Sequence, residues 1–161
     1  MLLLMAVTRS EAQEIRWMTW EEAAEANAKK PKKIFVDVYT DWCGWCKKMD
    51  AATFKDPSIV AALNKDFYAV KLNAEQKETI VWQNQEFKGF PGGKNGAHKL
   101  AYELLDGRFS FPTFVMLNSA YQRIAISPGY KDGSALLREL RFAAEEHYKD
   151  TTWEDYMAKS K

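Results

Sequence analysis

The chain has 161 residues, 47% of them hydrophobic and 14% aromatic, with 23 basic against 22 acidic side chains and a formal net charge of +1. A chain of this size buries roughly two thirds of the surface its unfolded form exposes, so it folds as one domain without a disulfide framework or a structural metal. Balanced charge excludes the whole-molecule footprint of a nucleic-acid binder, and abundant aromatics exclude wholesale disorder.

Leu2 to Val7 form a short apolar run with no basic segment before it, and Ser10-Glu11-Ala12 sets small residues at the positions a signal peptidase reads. Residues 1–12 therefore read as a shortened secretory signal remnant, which implies a periplasmic or otherwise secreted protein. The alternative is an uncleaved terminus on a cytoplasmic one. The run is too short to span a bilayer. Thr19-Trp20-Glu21-Glu22 fits a capping box and opens a helix to about Lys30, stopped by Pro31. Ile34 to Tyr39 is β-branched and aromatic on both faces except for Asp37, the pattern of a buried central strand that carries one costly acid.

Gly44 to Ala52 has helical composition, so Cys43 sits at a strand-to-helix junction. Asp56-Pro57 supplies an N-cap and a proline for a helix to about Leu63, and Phe67 to Leu72 reads as a second strand. Glu75 to Phe87 is moderately helical, Gly89 to Gly96 is loop-like, and Ala97 to Leu105 is helical again. Thr113 to Leu117 and Tyr121 to Ser127 suggest an antiparallel hairpin. From Ser134 a last helix carries Leu136, Leu137, Leu140, Ala143, Ala144 and His147 on one stripe. The tail, residues 151–161, either packs on the domain or contacts a partner.

The chemistry concentrates at Cys43-Gly44-Trp45-Cys46. At a helix start the first sulfur lies beside unpaired backbone N–H groups and the positive end of the helix dipole, which favours its thiolate. Cys46, one turn on, is shielded yet close enough to attack a mixed disulfide formed by Cys43. That is the division of labour of dithiol exchange: Cys43 as nucleophile, Cys46 as resolving thiol. Gly44 is expected to permit the tight turn between them. A zinc site would need more ligands than His98 and His147 supply. A purely structural disulfide over four residues would contribute little loop entropy.

Phe35-Val36-Asp37, Asp41-Trp42-Cys43-Gly44-Trp45-Cys46-Lys47-Lys48 and Phe111-Pro112-Thr113 together resemble the thioredoxin superfamily, over about residues 33–147. The segment with Trp17 and Trp20 suits the extra N-terminal element of its secreted members. The resemblance implies a thioredoxin-like three-layer α/β sandwich: a central mixed sheet, helices on both faces, and a helical insertion before the cis-proline. It implies a domain over residues 13–150 with the insertion at about 75–105, because 38 residues separate Asn73 from Pro112.

The same resemblance implies roles. Asp37 matches the buried acid that takes the proton of the resolving thiol, and Lys71 the lysine paired with it. Trp42 matches the tryptophan covering the redox site, Pro112 the cis-proline facing the cysteines, and Gly129 the glycine at the groove rim. Phe111 would offer its backbone to an extended substrate. Trp45, between the cysteines, departs from the Gly-Pro of thioredoxin and bears on partner choice. The implied function is a thiol:disulfide oxidoreductase, working as a reductase. Its alternatives are an oxidase or isomerase, or a redox-inert client-binding module. Expected partners are disulfide-containing client proteins and a thiol donor such as a membrane thiol:disulfide interchange protein, with the chain itself a monomer. No cofactor is implied beyond the Cys43–Cys46 disulfide.

Overall fold

The computed structural model describes residues 14–160. The expected signal remnant, residues 1–12, lies outside them. Five strands form one mixed sheet in the order β1-β3-β2-β8-β9. These are β1 (Trp17–Met18), β2 (Lys33–Tyr39), β3 (Phe67–Asn73), β8 (Thr113–Leu117) and β9 (Arg123–Pro128). Central β2 runs parallel to β3, pairing Asp37 with Lys71, and antiparallel to β8, pairing Val38 with Thr113. The short edge strand β1 was not apparent in the sequence. It pairs Trp17 with Ala69 and brings the Trp17 indole edge-on to Phe54 at 5.0 Å.

Period-two alternation divides β2 between two cores. Val36 and Val38 join Val70, Leu72, Val115 and Leu117 under helix α1 (Trp20–Lys29). Phe35 joins Phe67, Ala69, Phe114 and Met116 on the opposite face. That face is covered by α2 (Gly44–Ala51), α3 (Pro57–Asp66) and α5 (Gly133–Ala144). Phe35 stacks on Phe114 at 5.5 Å, welding β2 to β8 from this side. The result is the expected thioredoxin-like sandwich with helices on both faces.

The helix starts follow the sequence signals. Thr19 and Glu22 form the reciprocal capping box of α1, and Asp56 caps α3 ahead of Pro57. α3 runs three residues past Leu63, ending where β3 begins.

The insertion requires a correction. Residues expected to be helical over Glu75 to Phe87 form a hairpin, β4 (Ile80–Trp82) with β5 (Gln85–Phe87). Gln83 and Asn84 take φ of 51° and 59° in its two-residue turn, the backbone such a tight hairpin demands, and Ile-Val-Trp suits a strand. A second small hairpin, β6 (Gly89–Phe90) with β7 (Ala97–His98), encloses the glycine-rich turn. Only α4 (Lys99–Leu104) is helical, so the insertion is mostly β. It is anchored to the domain: Ile80, Phe87, Leu100 and Leu104 complete the core beneath α1. Trp82 packs edge-on to Trp20 at 5.1 Å.

The two histidines are structural. His98 is buried, its Nδ1 accepting from the Leu100 N–H at the start of α4 and its Nε2 3.1 Å from the Glu78 carbonyl. His147 does not continue the α5 stripe, because the helix ends at Ala144 and Glu146 turns left-handed at φ 60°. Its ring instead stacks on Tyr156 at 5.0 Å.

Of the two readings of the tail, the structure shows packing. Helix α6 (Trp153–Lys159) sets Trp153 and Tyr156 each 5.0 Å from the buried Phe142 ring, and the Tyr156 hydroxyl donates to the Arg138 carbonyl. Trp153→Ala should destabilise the domain by about 1–3 kcal/mol, because it strips an aromatic neighbour from Phe142. Urea denaturation reads this directly, and an unchanged midpoint would mean that the tail contributes nothing to the core.

Candidate active site

Every sequence-predicted site residue lies at one end of the sheet, where β2 runs out into α2 and the chain enters β8. Cys43 is the N-cap of α2, and its Sγ accepts from the Cys46 N–H at 3.1 Å. The two cysteines are joined in a disulfide with their Cα atoms 5.3 Å apart. Cys43 is 4% exposed and Cys46 2%, so only a narrow approach to the first sulfur remains. When the bond is reduced, a charge on Cys43 Sγ faces that same N–H and the positive end of α2, an environment that lowers a thiol pKa.

The reason expected for Gly44 is corrected. It is the first residue of α2, its φ is outside the left-handed region, and a Cβ there would meet nothing within 4 Å. No tight turn requires a glycine at this position.

Beneath the motif, on the sheet face that α2 covers, the β2–β3 register brings Asp37 opposite Lys71. The Lys71 ammonium lies 2.6 Å from Asp37 Oδ2 and 2.5 Å from Asp50 Oδ1, so one lysine is shared by two carboxylates. Asp37 is 1% exposed and its Oδ1 has no hydrogen-bond partner, whereas Asp50 stands half open to solvent. Trp17, Tyr39 and Phe54 each place a ring about 5 Å from the ammonium. Burial pushes the Asp37 carboxyl up to about 6, with the Lys71 charge pulling against it and the Asp50 charge adding to the rise. Burial pulls the Lys71 ammonium down, but the two carboxylates outweigh it and the net direction is up. The site therefore contains a buried carboxyl raised to about 6, linked through Lys71 to an acid at the surface.

The peptide bond Phe111–Pro112 is cis, and Pro112 is buried. Because Thr113 pairs with Val38 and with Pro128, the cis bond and the Gly129 loop come level with the end of β2. Gly129 has φ 95° and donates its N–H to the Pro112 carbonyl at 2.8 Å, a backbone only glycine adopts freely. Phe111 lies two residues before β8 begins and meets Trp42 edge-on at 6.0 Å. On the other side of the disulfide, Trp45 packs against Tyr130 at 5.4 Å, with the Lys48 ammonium 5.0 Å from both rings.

The insertion borders this site. Trp42 Nε1 donates to Glu75 Oε1, and Lys94 stands 5.2 Å over the Trp42 ring. A cavity of about 360 Å³ opens between Trp42 and Phe111 on one side and Gly93, Lys94 and Gly96 on the other. Asp50, Glu75, Lys94 and Tyr130 escaped sequence reasoning. Asp50 was within reach of it, lying four residues after Cys46 on the same helix face; the others reach the site only through long-range packing. Among the described residues there is no cluster of three His, Cys, Asp or Glu side chains fit for a metal ion, and no helix is long and apolar enough to cross a membrane.

The raised Asp37 carboxyl has a measurable consequence for stability. The native state keeps a proton that the unfolded chain has lost between about pH 4 and pH 6, so wild-type stability falls as pH rises through that window and is level above it. Asp37→Asn removes the burden and should be more stable than wild type by about 3 kcal/mol above pH 6, with the difference disappearing below pH 4. Urea midpoints at pH 3.5 and 7.5 measure it, and a difference independent of pH would refute the buried-acid account.

Comparisons with known proteins agree with this geometry. Over 88 aligned residues, 51% of this chain and 15% of the relative, it is 33% identical to "Thiol:disulfide interchange protein DsbD" of Vibrio vulnificus. Over 67 residues, 41% of this chain and 8% of the relative, it is 31% identical to human "Spermatogenesis-associated protein 20". The chain thus spans only a small part of the curated relatives it matches. A solved structure described as "DsbH Oxidoreductase" superposes with a TM-score of 0.59 over 88% of this chain and 94% of its own, at 17% identity, which establishes the shared fold. The chain thus has a thioredoxin fold with a Cys43–Cys46 disulfide consistent with thiol–disulfide chemistry. The family model Thioredox_DsbH, described as "Protein of unknown function, DUF255", matches residues 5–96, more than half of the chain and all of the cysteine motif, and the chain belongs to that family.

Proposed function

We propose that the protein is a thiol:disulfide oxidoreductase that reduces disulfides in client proteins. The observation that carries the reading is the Cys43–Cys46 disulfide at the N-terminus of α2, level with the cis Phe111–Pro112 peptide and above a buried acid. In the reduced enzyme the Cys43 thiolate attacks one sulfur of a client disulfide, forming a mixed disulfide and expelling the first client thiolate, which takes up a proton. Cys46 then gives its proton to Asp37 and attacks Cys43 Sγ. The second client thiolate leaves, two electrons have passed to the client, and Cys43–Cys46 is oxidised. Lys71 holds Asp37 in place, and Asp50 carries the released proton towards solvent. Phe111 pairs its backbone with the client segment, and Gly129 keeps the rim of the groove low.

A thiol donor must then return two electrons to the oxidised pair. The likeness to a protein named for thiol:disulfide interchange supports a donor of that chemistry, which this reading takes to be membrane-borne, and the apolar run from Leu2 to Val7 supports a periplasmic setting. In this reading residues 1–12 are the leader, residues 13–150 the catalytic domain and residues 151–161 a C-terminal tail. The buried acid weighs against a redox-inert binding module, because a desolvated carboxyl beside Lys71 is costly to bury and serves no purpose if no proton moves.

Insulin reduction by dithiothreitol, followed as turbidity, tests the enzyme reading. Wild type should accelerate it and Cys43→Ser should return it to the uncatalysed rate; equal curves would defeat the proposal. Cys46→Ser should accumulate mixed disulfides through Cys43, visible as reductant-sensitive bands. Equilibration with glutathione buffers gives the direction: a potential near that of strongly reducing thioredoxins, about −270 mV, fits a reductase, and one near −120 mV would instead make the protein an oxidase.

A further inference from the structure

The cavity beside Trp42 is a constructed feature of this chain. Its outer wall is the 91–96 turn of the insertion, which is tied down from below. Lys77 Nζ donates to the Asn95 carbonyl at 2.6 Å, and Asn95 Nδ2 donates to Glu75 Oε2 at 3.0 Å. Gly96, at φ 90°, cannot readily be replaced, since a Cβ would stand 3.3 Å from the Phe90 carbonyl oxygen. The inner wall is aromatic, with Phe111 and Phe109 stacked at 5.9 Å and Trp42 edge-on to Phe111. From Phe109 the aromatic surface continues to Tyr102 at 6.1 Å, and from Tyr102 to Phe90 at 5.8 Å. Trp42, Phe109, Tyr102 and Phe90 are between 38% and 47% exposed, a contiguous apolar strip that begins at the redox motif.

The charge around this strip is uneven. Both Glu75 oxygens are occupied, one by the Trp42 indole and one by Asn95. Asp41, the acid next to Trp42, accepts from Asn73 Nδ2 at 3.2 Å. Lys94, by contrast, rests over the Trp42 ring and forms no ion pair among the described residues. Lys48 does the same over Trp45 on the far side of the disulfide. The redox face therefore presents an aromatic pocket with Lys94 at its rim as the cation free to meet a ligand, whereas Glu75 keeps its charge but has both oxygens engaged.

We propose that this pocket selects the client segment. It would receive an aromatic or large aliphatic side chain adjacent to the client cysteine, while a neighbouring aspartate or glutamate meets Lys94. A volume of about 360 Å³ is at the small end of ligand sites, which span about 300–1,000 Å³, and has room for one large side chain with its flanking peptide. Electrostatic complementarity sets the register of such a segment, and the aromatic wall supplies the burial. The inference rests on the reductase reading for its chemistry but not for its binding.

The test uses peptides whose single cysteine is activated as a mixed disulfide, with phenylalanine or alanine before it and aspartate or lysine after it. Rates of attack by the reduced protein are compared as ratios within each protein, which cancels any change in intrinsic reactivity. Wild type should prefer phenylalanine over alanine by about tenfold and aspartate over lysine by about threefold. Lys94→Glu should invert the second ratio, and Phe109→Ala should collapse the first. Equal rates across the panel, or ratios unmoved by both variants, would overturn the proposal. Failure of wild type to reduce neutral hydroxyethyl disulfide would strike the oxidoreductase reading alone. The pocket is then judged by Trp fluorescence titration with cysteine-to-serine peptides, where the same order of affinities sustains it and equal affinities overturn it.

Discussion

The site depends on the double pairing of β2. This strand is held by β3 on one edge and β8 on the other, and each register performs one task. Asp37 opposite Lys71 makes a buried acid tolerable, and Val38 opposite Thr113 delivers the cis-proline to the level of the cysteines. A slip of one residue would turn Asp37 into the valine-rich core under α1 and Val36 towards α2, because side chains alternate along a strand. The Phe35–Phe114 stack on one face and the valine layer on the other oppose that slip.

The chemistry sits at the edges of this frame, where backbone groups are left over. The first turn of α2 has donors without helical partners, and Cys43 Sγ occupies one of them. Beneath it the Asp37–Lys71–Asp50 arrangement joins a dry carboxyl to a wet one through a single ammonium. Burial raises the Asp37 carboxyl, the charge and hydrogen bond of Lys71 pull against it, and the Asp50 charge adds a smaller rise, which leaves the carboxyl at about 6. Of the aromatic and cationic groups surrounding the disulfide, Trp42, Trp45 and Lys48 belong to α2 and its approach and Phe111 to the cis-proline segment, while the insertion adds Lys94 and the Gly129–Tyr130 loop adds Tyr130.

Local signals in the chain were reliable where short-range physics decides. The capping box at Thr19, the Asp56-Pro57 start, the two-faced apolar run before the cysteines and the Thr113–Pro128 hairpin all carry their structure in neighbouring residues. The Glu75–Phe87 segment did not. Gln83 and Asn84 have no glycine to announce a left-handed turn, and what makes Ile80 and Phe87 strand residues is the core that they complete beneath α1. His147 fell off its stripe for a similar reason, since a left-handed Glu146 ends the periodicity that the spacing alone continues.

The sequence by itself determined the buried central strand, the dithiol at a helix start and the acid six residues before it, because these follow from periodicity, capping and spacing along a continuous stretch of chain, while the thioredoxin-like architecture was implied by the resemblance of its motifs to that superfamily. Only the tertiary structure decided that Asp50 shares Lys71, that Tyr130 packs against Trp45, and that the insertion walls a cavity beside Trp42. Those contacts join residues far apart in the chain, and their geometry is set by how the sheet and the two cores close around them.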